Sequence, residues 1–148
     1  MSQNPCQIRL ALPNDAEDIS ALYSQLMNTV ITVDAHRINQ ISQLPNSALF
    51  VSDCQSRICA TALVTLCDDI IFGHRPFAVI ENIVVLDSLR DQGIGTRLFQ
   101  AIEKFCREKQ CYKITITSSA NRNRAHHFFE RLKFDGNTKN CFVKYLNY

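Results

Sequence analysis

Apolar positions change period several times along the chain, and each change marks an element. Residues 8–12 (IRLAL) read as a strand, which Pro13-Asn14-Asp15 ends while offering helix caps. Ile19, Leu22, Tyr23, Leu26 and Met27 then recur at helical spacing, and a weaker helix after Asp34 carries Ile38 and Ile41 on one face. Residues 48–52 and 58–66 read as the two strands of a hairpin joined by a polar turn. A polar connection through Asp68, Asp69, Gly73, His74 and Pro76 leads to residues 77–86, apolar on both sides like a central strand and interrupted only by Glu81 and Asn82. After DSLRDQGIG comes a long helix bearing Ile94, Leu98, Phe99, Ile102, Phe105 and Cys106. Residues 112–117 (YKITIT), 125–132 and 141–146 predict a strand, a short helix and a last strand.

The order β-α-α-β-β-β-α-β-α-β predicts a mixed sheet with helices on both faces, in one α/β (α+β) domain over residues 1–148. A net charge of +2 is too mild to argue for a nucleic acid or a membrane surface, although it suits a small polyanion held locally. No basic segment followed by an apolar run opens the sequence, and no stretch approaches the ~18 apolar residues of a membrane span. The expected location is the cytoplasm. Seven cysteines, at 6, 54, 59, 67, 106, 111 and 141, form no C-x-x-C pair. They read as small buried hydrophobes in a reduced compartment, with no metal site.

The sharpest local signal is Leu89-Arg90-Asp91-Gln92-Gly93-Ile94-Gly95-Thr96, between a buried strand and a helix. Glycines at 93 and 95 permit a tight turn and a close backbone approach. Unpaired amides at the helix start, aided by the dipole, then make an anion site suited to a pyrophosphate, to which Arg90 adds charge. The same spacing also suits a plain strand–helix turn. Both G-x-G-x-x-G and G-x-x-x-x-G-K-[ST] are missing, which argues against a dinucleotide or a P-loop nucleotide.

Arg90-x-x-Gly93-x-Gly95 fits the [QR]-x-x-G-x-[GA] signature of the GNAT superfamily of N-acetyltransferases. IENIVV before the loop resembles that family's fourth strand, and RAHHFFERLKF resembles its A-x-x-F-Y-E-x-L-G-F helix, with the element order matching over roughly residues 6–148. The resemblance implies the GNAT fold, with a mostly antiparallel sheet of six to seven strands, and acetyl-CoA as the acyl donor. Backbone groups of Ile83, Val84 and Val85 would pair with the pantetheine arm as if it were a strand, and amides from Asp91 to Thr96 would hold the pyrophosphate. It also implies a bulge in the fourth strand that splays it from the fifth, and cofactor contacts from the helix that carries His126 and Phe129. The acceptor would meet the first two helices and the loop between the third and fourth strands. Tyr23, Asp69, His74 and Glu81 are the candidates there, and Asp68 and Arg75 add charge.

Direct transfer from a thioester to an amine needs a neutral amine and a hydrogen-bond donor for the carbonyl. An amide of Val84 or Val85 suits the second role. Glu81 is the candidate general base, on an apolar strand where loss of water would favour its neutral form. The family's tyrosine acid is replaced here by Phe129, which cannot donate a proton, and its L-G-F glycine by Lys133. The expected acceptor is a small primary amine. Peptide or protein acetylation, or a non-catalytic acyl-CoA sensor motivated by Phe129, are the alternatives, and a homodimer is compatible with either.

Overall fold

The computed structural model of the chain describes residues 6–147. Its strands are β1 (Gln7–Leu10), β2 (Ser47–Asp53), β3 (Ile58–Cys67), β4 (Phe77–Val85) and β5 (Ile114–Ile116). Its helices are α1 (Ala16–Met27), α2 (Ala35–Ser42), α3 (Ile94–Glu108) and α4 (Asn123–Arg131). Short 3-10 turns occupy Pro13–Asp15 and Asp87–Leu89. Two compact units divide the chain after Thr115.

The strands form one sheet in the order β1-β2-β3-β4-β5, and β1 to β4 run antiparallel. Beside β4, the Tyr112 amide donates to Pro76 O at 3.0 Å and the Ala78 amide to Lys113 O at 3.0 Å. Partners advance in the same sense on both chains, so β5 runs parallel to β4 and the sheet is mixed. Five strands are present among the described residues, against the six to seven expected. The predicted strand over 141–146 is absent, because that segment adopts no regular structure and exposes Phe142 by 92% and Tyr145 by 87%.

Alternation along β2 decides which helix covers which face. Leu49 and Val51 join Ile19 and Leu22 of α1 and Ile38 of α2 in one buried cluster. Phe50 turns the other way and meets Phe105 of α3 edge-on at 5.4 Å. Helices therefore flank both faces, as the sequence predicts. Asp34 starts α2 by accepting the His36 amide at 2.8 Å.

Cys6 and Cys54 form a disulfide, which corrects the expectation of seven reduced thiols. The register explains it: Gln7 faces Asp53 across β1 and β2, so the flanking residues 6 and 54 are opposite one another. Cys59 and Cys106 are buried as predicted, and burial pushes the Cys106 thiol up to about 12.

Arg9 ties the same strand pair to the turn before α1. Its guanidinium meets Asp15 at 2.8 and 2.9 Å and Asp53 at 3.0 and 3.2 Å, while the Leu12 amide donates to Asp15 at 2.7 Å. Arg9, first among the causes, holds the Asp15 carboxyl below its usual range despite burial. A depressed carboxylate stabilises the fold above its unfolded pKa, and that stability is lost as pH falls through the folded value. Arg9→Met should therefore lower stability by about 2 kcal/mol at neutral pH, since it strands a largely buried carboxylate. Denaturant titrations should show the gap to wild type narrowing as pH falls through the acid range, since Asp15 takes up its proton earlier in the variant than in wild type. An equal gap at pH 7 and pH 3 would count against this role for Asp15.

Candidate active site

The site begins with an irregularity in β4. Thr61 pairs with Val84 but Leu63 pairs with Glu81, so two residues of β4, Asn82 and Ile83, oppose Ala62 alone. Asn82 sits at φ 55°, a left-handed conformation that asparagine tolerates better than most residues. This is the β-bulge that the family resemblance implies. It changes the phase of the strand: Ala78 and Ile80 are buried before it and Val84 after it, on opposite faces. Glu81 and Val84 both lie on the face that α1 covers, because their partners Leu63 and Thr61 do.

The bulge also sorts the backbone groups beyond it. Leu86 donates to Cys59 O at 2.8 Å, so by alternation Val84 turns its amide toward β3 while Val85 turns its own away. Of the two amides expected to serve a thioester carbonyl, only that of Val85 faces away from β3. The Val85 carbonyl already accepts from Gln25 Nε2 at 3.0 Å, and Gln25 Oε1 accepts the Asp87 amide at 2.9 Å. Gln25 is a functional candidate that periodicity could not reveal, since it occupies an ordinary polar position of α1.

The phosphate loop follows. Asp91 at φ 61° and Gly93 at φ 77° reverse the chain, and α3 starts at Ile94 with the Arg97 amide donating to Gly93 O at 3.0 Å. The amides of Ile94, Gly95 and Thr96 belong to the first turn, where the helix supplies no acceptor. A Cβ built on Gly93 would meet no atom within 4 Å, so the loop opens onto unfilled space. Arg90 does not point outward as a lone cation; its Nη2 pairs with Asp87 Oδ1 at 2.6 Å. Gln92 is exposed. Arg97 is a second residue that the sequence reading missed: its Nε is buried with no hydrogen-bond partner in the described structure. A buried donor left unmade is costly, and a phosphate oxygen would satisfy it.

The acceptor candidates separate on inspection. Tyr23 lies under the sheet with its hydroxyl at Thr61, and burial pushes its pKa up. Glu81 is exposed, so the desolvation expected for it is not present. Asp69 is committed to its own loop, with Oδ2 accepting from the Tyr112 hydroxyl at 2.7 Å and Oδ1 from the Ile70 and Ile71 amides. The Tyr112 hydroxyl, first among the causes, holds the Asp69 carboxyl low. His74 is exposed on the same loop. Ser20 and Ser24 of α1 fix the segment before α2 by accepting the Val33 and Ile31 amides at 2.8 and 2.9 Å.

Within the second unit, His126 Nε2 is bonded to Ser119 O at 3.0 Å, the nitrogen donating. Helix α4 ends with the Phe134 amide donating to Phe129 O and the Lys133 amide to Glu130 O, with Lys133 at φ 70°. That is a Schellman ending, in which the left-handed position usually belongs to glycine and the flanking apolar side chains meet. Phe129 and Phe134 make that contact, with ring centroids 6.2 Å apart. The glycine of the family's L-G-F motif thus corresponds to a backbone requirement that Lys133 meets with some strain.

A mixed sheet whose fourth strand bulges and then runs into an anion-ready helix start is the frame of the site. The chain belongs to the acetyltransferase (GNAT) family, whose model matches residues 17–134. Solved structures agree in fold. A putative acetyltransferase from Agrobacterium tumefaciens is 22% identical with a TM-score of 0.85, covering 94% of this chain and 99% of that one. An aminoglycoside acetyltransferase from an uncultured soil metagenomic sample is 18% identical with a TM-score of 0.85, covering 98% of each. Glucosamine-6-phosphate N-acetyltransferase from Arabidopsis thaliana is 21% identical with a TM-score of 0.81, covering 95% and 98%. No curated protein sequence matches the chain. No described helix is long and apolar enough to cross a membrane, and the described residues hold no cluster of metal-ligating side chains.

Arg97→Met keeps the aliphatic stem and removes the unpaired donor. Its melting temperature should match or slightly exceed wild type, while affinity for CoA, measured by calorimetry, should fall roughly tenfold to a hundredfold. Unchanged affinity would remove Arg97 from the phosphate site.

Proposed function

We propose that the protein is an N-acetyltransferase that takes the acetyl group of acetyl-CoA and passes it directly to a small primary amine. The observation that carries this reading is the Asn82 bulge leading, within one short loop, to the open helix start at Gly93. The donor fits the residues present: the buried Arg97 Nε lacks a partner, and the loop opens onto space that a phosphate would fill. When bound, acetyl-CoA supplies an acyl group activated as a thioester. The first-turn amides of α3 and Arg97 hold the phosphates, and the Ile83 and Val85 edge holds the pantetheine arm in strand fashion. The Val85 amide faces the thioester carbonyl as hydrogen-bond donor. Glu81, being exposed, takes the amine proton through water rather than from a desolvated pocket. Phe129 offers no proton, and none is required, because a thiol of pKa about 8.5 leaves without help at neutral pH. The preference for a small acceptor draws on the aminoglycoside and glucosamine-6-phosphate enzymes that share the fold.

A panel of amines, including aminoglycosides and amino-sugar phosphates, should identify acceptors by CoA release. Glu81→Gln should then lower kcat by about a hundredfold, at the low end for a lost general base, and the deficit should shrink at high pH as the amine loses its proton unaided. Wild-type turnover in that variant would take Glu81 out of the reaction. Phe129→Tyr should change kcat by less than about threefold, because proton donation does not limit the step. Acetyl-CoA binding without release for any amine would assign the protein to acyl-CoA sensing instead.

A further inference from the structure

The segment from Leu86 to Gly93 has to present its amides in a fixed array, yet it is neither strand nor α-helix and contains two positive φ angles, at Asp91 and Gly93. Its order must come from side chains and isolated turns. At its far end the Arg97 amide bonds to Gly93 O, and in its middle Arg90 pairs with Asp87. At its near end stands Gln25, which reaches across from α1.

We infer that Gln25 is a positioning residue for the acyl donor: its side-chain amide holds the exit of β4 and the start of the phosphate loop in one geometry before the donor arrives. One planar amide donates to Val85 O at 3.0 Å and accepts from Asp87 N at 2.9 Å. A neighbouring strand would use the same pair of groups, the carbonyl of one residue and the amide of the residue two further on. Gln25 therefore acts as a single-residue strand at the end of β4, where β5 spans only Ile114–Ile116. The clamp covers one carbonyl and one amide and does not use the Val85 amide, which points away from β3.

The consequence is energetic. Fixing a backbone costs conformational entropy, and a loop ordered in advance does not draw that cost from the binding energy of the ligand. Without the clamp, apparent affinity falls by the fraction of molecules in which the loop is already formed. Gln25 touches neither the reacting carbonyl nor the amine in this scheme, so its loss should weaken donor binding and leave the chemical step alone. The inference rests on the acetyl-CoA reading.

The test uses the full chain and measures acetyl-CoA affinity by calorimetry, alongside KM and kcat for any acceptor found. Gln25→Ala should weaken acetyl-CoA binding roughly tenfold, the effect of about one lost hydrogen bond, with kcat and the KM for amine within about twofold of wild type. Gln25→Glu supplies a sharper readout. As a carboxylate it still accepts from the Asp87 amide but sets an oxygen against Val85 O; once protonated it can donate to that oxygen again. Its affinity relative to wild type should be depressed at about pH 8 and recover toward pH 5. A merely structural effect would not move with pH in this way. If Gln25→Ala does not fold, the pH pair of Gln25→Glu decides the matter. Wild type that fails to bind acetyl-CoA overturns the donor reading and this inference with it. Wild-type binding that both variants match at every pH overturns the role of Gln25 alone.

Discussion

The extra residue in β4 sets two requirements at once. A strand between two helical layers must give apolar side chains to both faces, and regular alternation fixes which residue goes where. Thr61 and Leu63 face the same way two positions apart, whereas their partners Val84 and Glu81 are three apart. Removing the inserted residue would turn Val84 out of the α1 cluster and send the chain into the phosphate loop with the opposite hand of amides. Asn82 absorbs the insertion at φ 55°. A left-handed residue other than glycine costs roughly 1 kcal/mol, a small strain held in place by packing on both sides of the strand.

Downstream of that bulge, the proposed hold on a polyanion does not depend on the protein's overall charge. The net charge is only +2, and one prominent cation near the loop, Arg90, is already paired with Asp87. What remains is local: oriented amides at a helix start, the dipole behind them, and the buried Nε of Arg97. Such groups do not have to reorganise when an anion arrives, which makes them more effective than mobile surface cations of the same formal charge.

Much of this was legible in the sequence, for identifiable reasons. Periodicity located all five strands and all four helices, because most of them bury an apolar face in the core. The loop declared itself through Gly93 and Gly95. The bulge left only a faint trace, the two polar residues Glu81 and Asn82 in an apolar run, and it was implied by family resemblance rather than by the pattern. Other features left none. The Cys6–Cys54 bond depends on the register of strands some fifty residues apart in sequence, which spacing does not encode. Gln25 and Arg97 look like any polar residue on a helix; only the folded chain shows that Gln25 meets Val85 and Asp87 and that the Arg97 Nε is buried without a partner. Residues 141–146 alternate like a strand but have no partner strand among the described residues, and pattern without a partner does not make a ladder.

The replacement of the family's tyrosine by Phe129 is best understood through what each proton transfer demands. A thiolate is a fair leaving group near neutral pH, so a positioned acid on that side adds least where the thiol's own pKa lies close to the medium. An alkylammonium with a pKa near 10 must lose a proton before it can attack, and that demand falls on the acceptor side. There the proposed base is Glu81, on the α1 face of the sheet and exposed to solvent. At the other position Phe129 makes a hydrocarbon contact with Phe134 that closes the end of α4, where Lys133 already strains the turn. In the reaction proposed above the acid is dispensable, and Phe129 instead gives apolar closure to a helix end that lacks its usual glycine.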